Sequence, residues 1–341
     1  MTGSKPEGPL EIANFTSQTA IAVRDIWIAN EVRSGASCRV VGRTCGISHT
    51  QVARIAKDLS TLHIVKFSGG AGSWAAAHRV VERYGASSTI LVTSNTNAEH
   101  PDWLRFVVES QRKLGARFVM LANEGDIWDL AFEQKMIPSA RVPFCSRMLK
   151  QVPSDEWLEE NCPPEHSILY YGFDWTEEHR LTRIRKARPE WRHEAPLMWD
   201  PVADKDEILR ELEADPDLKY PEAYRLGLPH NNCLTYGCFL GGQKYWLKLL
   251  EKVPEVYART EAKEIEFGKT VKPHTILRDR RGGNTKSLSL TELRLRAAQG
   301  YNGNGAKVPN ISPEELSNSN PDDPDRADSS AGWGSCGCID A

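Results

Sequence analysis

Apolar positions recur at helical spacing from Thr19 to Leu59: a first run near Ile21–Val32, a second at Arg39–Thr44, a break at Gly46 and a third run from Ser48. After Leu59 the period changes. Short apolar runs at Leu62–Phe67, Thr89–Thr93, Arg117–Leu121 and Ser167–Tyr171 predict strands, and the intervening Trp74–Tyr84, Pro101–Leu114 and Ile127–Lys135 predict helices. Strands alternating with helices return parallel to one another through right-handed crossovers. The predicted fold class is therefore α/β, a parallel sheet with helices on both faces, preceded by a small all-α unit. Ligands of such sheets gather at the carboxyl ends of the strands, so the loops after Phe67, Thr93, Leu121 and Tyr171 are the predicted rim of a site. The chain divides on this reading into a loose polar tail (1–18), a helical unit (19–60), an α/β body (61–268), a basic extension (269–299) and a linker (300–341). The extension carries Arg278, Arg280, Arg281, Gly282 and Gly283 and ends in a helix at Leu290–Ala298. The linker is rich in Asn, Ser, Pro, Asp and Gly, a composition too poor in apolar surface to order itself.

The helical unit has the spacing of a helix-turn-helix. Two helices cross steeply at a short turn only where small or apolar side chains sit at fixed offsets, and Val41, Gly42, Cys45, Gly46, Ile47, Val52 and Ile55 occupy them. Ser48, His49, Thr50, Gln51 and Arg54 then face outward as candidate DNA contacts. Other small three-helix units share this spacing, and such modules also serve as protein contacts.

Charge narrows the partners less than it narrows the compartment. With 43 basic and 46 acidic residues in 341, the formal charge is −3, so no global field points to nucleic acid or membrane. No run of about 18 apolar residues is present, and Met1–Leu10 lacks the basic-then-apolar pattern of a leader, so the expected location is cytoplasmic with no membrane partner. Eight cysteines in such a chain point to metal binding or reactivity rather than a disulfide framework.

The chemistry concentrates at Ser68-Gly69-Gly70-Ala71-Gly72-Ser73, which follows an apolar strand and opens an Ala-rich helix. Glycines let successive N–H groups and a helix N-terminus face one anion, and the two serines add hydroxyl donors. The loop lacks the Gly-Lys-Ser/Thr ending of a Walker loop and the glycine spacing of a dinucleotide fold. A strand-to-helix turn without a ligand has the same composition.

This segment resembles the SGGxDS pyrophosphate loop of the ATP-pyrophosphatase superfamily, with Gly72 where the motif has Asp. Ala195-Pro196-Leu197-Met198-Trp199-Asp200 with Asp206-Glu207-Ile208, Tyr220–Cys238, Phe144-Cys145-Ser146-Arg147-x-x-Lys150, and Gly172 with Arg180 and Arg183 are similar, in order, to segments of the phosphoadenosine-phosphosulfate reductase family. The resemblance spans roughly 200 residues and is closest to a phage and mobile-element branch. It implies an adenine nucleotide α-hydrolase-like fold and an enzyme that binds ATP or an adenylyl sulfate, with Mg²⁺, and performs adenylation, sulfur transfer or sulfonucleotide reduction. Gly72 removes an acid that helps place Mg²⁺, which bears on catalysis more than on binding. Asn95 and Thr96 stand where the family has Asp-Thr and are candidates, with Gly172, for ribose or base contact. Arg147, Lys150, Arg180 and Arg183 are candidates for the anionic end of the substrate, since guanidinium forks pair bidentately with phosphate or sulfate.

Cys145, Cys233 and Cys238 fall where assimilatory adenylyl-sulfate reductases hold a [4Fe–4S] cluster, although Phe144 replaces the first cysteine of a pair and four residues separate Cys233 from Cys238. Three thiolates leave one iron open, as in some tRNA sulfurtransferases of the superfamily, or need a fourth ligand from Cys336 or Cys338. Zinc and buried thiols without metal are the competing readings. Cys336-Gly337-Cys338 faintly resembles the reductases' mobile nucleophile tail, whose partner is a thioredoxin-like reductant. Two functions compete on these residues: an enzyme of this family, acting on a small nucleotide or delivered to DNA or tRNA by its helical unit, and a DNA-binding regulator with a silent nucleotide sensor.

Overall fold

The computed structural model describes residues 8–231, 233–279, 285–303, 309, 311, 312 and 315. The chain starts with α1 (Gly8–Arg33), which already covers the stretch 8–18 read from sequence as a tail. A helix is favoured there because the end of this segment has something to pack on: Thr19 Oγ1 accepts the Met120 amide at the edge of the sheet. Two short helices follow, α2 (Cys38–Cys45), capped by Ser37, and α3 (His49–Asp58), capped by Ser48. Gly46 ends α2 at φ 68°, a left-handed position that suits glycine. At Gly42 the two helices come so close that a Cβ would lie 2.7 Å from the Ile47 carbonyl oxygen.

Among the described residues the body is one five-stranded sheet in the order β3-β2-β1-β4-β5, parallel throughout, so the predicted α/β class with a parallel sheet is borne out. The strands are β1 (Leu62–Lys66), β2 (Thr89–Asn95), β3 (Arg117–Ala122), β4 (Ser167–Tyr170) and β5 (Arg192–Glu194). Leu62, Ile64, Val65, Ile90, Leu91 and Leu169 are buried because both faces are covered, which is why these strands read as continuous apolar runs. On one face α4 (Ala71–Tyr84), α5 (Pro101–Leu114) and α10 (Lys205–Ala214) enclose Val65, Phe67, Trp74, Phe106 and Phe118. On the other, α1, α3, α8 (Val152–Asn161) and α9 (Glu178–Ala187) enclose Ile26, Ile28, Ile55, Ile64, Val92 and Trp157.

A third apolar cluster joins α6 (Ile127–Glu133), the short α7 (Phe144–Ser146), α12 (Gln243–Lys252), α13 (Pro254–Thr270) and α14 (Leu290–Ala298), with the ribbon β6 (Leu277–Asp279) and β7 (Lys286–Leu288). The helix at Leu290–Ala298 has the expected bounds. Residues 280–283 of the basic extension lie outside the described residues. The strand order reverses between β1 and β4, and their carboxyl ends open the crevice in which the site forms.

Candidate functional site

The loop 68–73 leaves β1 at that crevice. Gly69 adopts φ 72°, and a Cβ there would lie 2.2 Å from Trp103 Nε1, so the close approach and the turn both require glycine. Its carbonyls are tied back: Trp103 Nε1 donates to the Ser68 oxygen at 2.8 Å and Asn231 Nδ2 to the Gly69 oxygen at 3.1 Å. The serines bond within the loop, Ser68 Oγ donating to Ser73 Oγ at 3.1 Å and Ser73 Oγ to the Gly70 carbonyl at 2.9 Å. The Ala71 amide donates to Tyr224 Oη, 2.9 Å away on α11 (Glu222–Arg225). Burial pushes that phenol up to about 12, so it stays neutral. Among the described residues nothing accepts a hydrogen bond from the amides of Ser68, Gly69 or Gly72.

Gly72 and Gly172 touch backbone to backbone. A Cβ on Gly72 would lie 2.8 Å from the Gly172 oxygen, and one on Gly172 only 2.5 Å from the Gly72 carbonyl carbon. The loops after β1 and β4 thus interlock at the switch point, which gives a steric reason for glycine where the motif has Asp. Gly172 acts as a backbone support for the loop.

Beside the loop, a slot of about 130 Å³ lies between the sheet and α8 and α9. Its apolar walls include Phe67, Val92, Tyr171, Ile184 and Ala187. Alternation along β1 puts Lys66 on the face of Leu62 and Ile64, where its ammonium meets Ser154 Oγ and stands 3.7 Å from Asp155 Oδ1. Arg188 Nη1 lies 2.8 Å from the same Asp155 oxygen. Burial lowers the Lys66 pKa to about 8, against the opposing pull of Asp155. A second polar group in the slot pairs Lys150 with Glu99 at 3.8 Å.

Lys150 also faces the cysteines. It sits in a π-helical turn (Arg147–Gln151), 3.9 Å from Cys233 Sγ, and lines a cavity of about 20 Å³ shared by Cys145, Cys233 and Cys238. Cys145 comes from α7 and Cys233 and Cys238 from the one loop before α12, and all three line this cavity. Cys233 is held at φ 58°, and its amide donates to Glu99 Oε2 at 2.6 Å. Burial pushes the Cys145 thiol up to about 12 and raises those of Cys233 and Cys238, with Lys150 opposing at all three. Space of this size admits about one water and no iron–sulfur cluster. Among the described residues no group of three or more His, Cys, Asp or Glu side chains is placed to hold a metal ion. Cys336 and Cys338 lie outside the described residues, as does Asn232.

The other candidates scatter. Asn95 accepts the Asn97 amide and lines a groove beside α1 instead of the slot, and Thr96 donates to Glu99 and lines the cysteine cavity. Arg180 is buried over the Phe173 ring and paired with Glu177. Arg147 and Arg183 are exposed. Ser48, His49, Thr50, Gln51 and Arg54 are all exposed on or at the start of α3, as expected. Sequence reading missed Lys66, Glu99, Ser154, Asp155, Arg188, Tyr224 and Asn231. Only Lys66 carried a local signal, a lone cation in an apolar strand that ends at the site. No helix among the described residues is long and apolar enough to cross a membrane. No family model matches the sequence, and no curated protein matches it.

Proposed function

We propose that the protein is an enzyme of the nucleotide α-hydrolase type, binding ATP or an adenylyl sulfate with its phosphates on the loop 68–73 and its base in the adjoining slot. The observation that carries this reading is the set of Ser68, Gly69 and Gly72 amides without protein acceptors, at the N-terminus of α4 and at the switch point of a parallel sheet. The reaction is attack at the α-phosphorus with loss of the β-side group, pyrophosphate from ATP or sulfate from an adenylyl sulfate. The full chain should melt higher with ATP or phosphoadenosine phosphosulfate, because a ligand bound only by the native state stabilises it by mass action. Gly70→Val should remove the shift, since a Cβ at Gly70 already reaches 3.2 Å from Tyr224 Oη. No shift with either ligand defeats the proposal. A shift without release of pyrophosphate or sulfate reduces it to a nucleotide sensor.

A second reading is favoured by α2 and α3. Their close crossing at Gly42, the outward first turn of α3, and the exposed Arg39, Arg43, Arg54 and Lys57 without an acidic residue from Ala36 to Lys57 support a helix-turn-helix that contacts DNA or tRNA. Each phosphate neutralised contributes about −0.9 to the slope of log affinity against log salt on duplex DNA. Arg54→Glu should weaken retention on duplex DNA and flatten that slope. Equal retention by variant and parent assigns the face to a protein contact.

A further inference from the structure

Two lysines line the slot, and they hold their protons differently. Lys150 lies 3.8 Å from Glu99 and 3.9 Å from Cys233 Sγ. Burial works against its charge, but Cys233 and Glu99 outweigh burial and raise its pKa above the usual lysine value. At Lys66 burial wins. Its pKa falls from 10.5 to about 8 in spite of Asp155, with Arg188 as a second cation helping to lower it. An amine in this state keeps a neutral share at neutral pH, and a neutral amine is a nucleophile.

Stability alone is a poor reason for a lysine at this position. Leu62 and Ile64, on the same face of β1, are buried, and Asp155 already pairs with Arg188 at 2.8 Å. A methionine would pack there with no charge to bury. What the lysine adds is a nucleophile with a carboxylate 3.7 Å away, Asp155 Oδ1, and a hydroxyl, Ser154 Oγ, in contact with Nζ. Lys66 also lines the same slot as Ser68, the first residue of the loop.

We propose that Lys66 is the nucleophile of the reaction and takes the adenylyl group as a covalent phosphoramidate, with Asp155 as the proton acceptor. This rests on the reading of loop 68–73 as the phosphate site. Displacement at phosphorus runs in line, with the nucleophile opposite the leaving group. The loop takes the leaving group and Lys66 attacks from the slot. The ammonium first loses one proton. The Nζ lone pair then forms an N–P bond as the bond from the α-phosphorus to the leaving oxygen breaks. Pyrophosphate or sulfate departs with that electron pair, and a second proton passes from Nζ to Asp155. Nothing is oxidised or reduced, so no reductant enters the step. The adduct accumulates until an acceptor takes the adenylyl group.

The test is to incubate the full chain with ATP or phosphoadenosine phosphosulfate in a Mg²⁺-containing buffer, denature it and weigh it intact. The parent should gain the mass of one adenylyl or phosphoadenylyl group. The adduct should be lost in acid and survive alkali, as phosphoramidates do, and peptide mapping should put it on Lys66. Lys66→Met should melt higher with the ligand, as the parent does, yet gain no mass. Should that variant fail to fold, Lys66→Arg takes its place, since it keeps the charge and removes the nucleophile. Asp155→Asn should form the adduct at least about 100-fold more slowly, the worth of a general base. A parent that melts higher with ligand but gains no mass overturns the proposal and leaves the phosphate-loop reading standing. An adduct on another residue, or one retained by a Lys66 variant, overturns it equally. Labelling of Asp155→Asn at the parent's rate overturns the proton transfer as written. A parent that neither melts higher nor gains mass removes both readings.

Discussion

At Gly72 a single residue type answers two different demands. A motif acid at this position would be an asset to metal-assisted chemistry, yet its Cβ would press 2.8 Å from the Gly172 carbonyl oxygen. Gly172 is the reciprocal case, with three backbone atoms of Gly72 and Ser73 within 2.7 Å of a Cβ placed there. Backbone cannot rotate away as a side-chain tip does, so Gly172→Ala must push the loops after β1 and β4 apart. We expect a loss of about 1–3 kcal/mol in urea unfolding, together with weaker nucleotide binding. Gly72→Asp should behave likewise and gain no activity from the restored acid. Gly268→Ala, where a Cβ meets nothing within 4 Å, is the control and should be neutral or mildly stabilising. Unaltered unfolding of Gly172→Ala would show that the two loops are free to separate.

At the scale of elements, what was legible in the sequence was whatever a local period encodes. The Ile64-Val65 run, the Gly-rich turn and the Ala-rich start of α4 are adjacent in the chain, so strand, loop and helix were read together. The partners that complete the site are far away in sequence: Trp103 on α5, Ser154 and Asp155 on α8, Arg188 after α9, Tyr224 on α11. No periodicity carries the information that crossovers will bring them to one crevice. Asn95 and Thr96 followed the right strand, but the turn at Asn97, with φ 56°, directs them to the groove and the cysteine cavity.

The C-terminal elements show another device invisible in sequence. Glu264 of α13 is buried and accepts the amides of Ile276 and Leu290, each at 2.7 Å, tying the entry to β6 and the start of α14 to one carboxyl group. Burial raises its pKa from 4.5 to about 7, against the two amides, which favour the charged form. A raised folded pKa means that the native state holds the proton more firmly. Its stabilising contribution is complete below pH 4.5 and is lost as pH rises through about 7. Glu264→Gln removes the titration and leaves one amide without an acceptor, at about 1–3 kcal/mol. Urea midpoints of the parent should fall more between about pH 5 and 8 than those of the variant. Parallel midpoint curves would mean that Glu264 does not titrate in this range.

For the molecule as a whole, the helical unit and the sheet share one core. Ala22, Ile26, Ile28 and Ala29 of α1 and Leu59 after α3 are buried in the same cluster as Ile64, Ile90, Val92 and Val119 of the strands. Asp25 of α1 pairs with Arg117 of β3 at 3.2 Å, and Asn30 Nδ2 donates to the Asn161 carbonyl at the end of α8. A unit read from sequence as an appendage ending near residue 60 is therefore part of the wall behind the site. Its outer face is a different matter, since His49, Thr50, Gln51 and Arg54 are exposed and can change without touching the core. Removing residues 1–59 would strip Ile26, Ile28 and Leu59 from the sheet. At about 1.5–3 kcal/mol for each side chain, that loss comes to roughly 5–9 kcal/mol, comparable with the whole margin of a typical domain, about 5–15 kcal/mol. The truncated chain should lose its cooperative melting transition by circular dichroism and become protease-sensitive across β2 and β3. A combined His49→Ala, Gln51→Ala and Arg54→Ala variant should melt with the parent. Cooperative melting of the truncated chain at the parent's temperature would show that the sheet does not need α1. The opposite result would mean that any macromolecule gripping the outer face of α3 loads the same core that holds the slot, because α3 packs on α1 and α1 packs on β3.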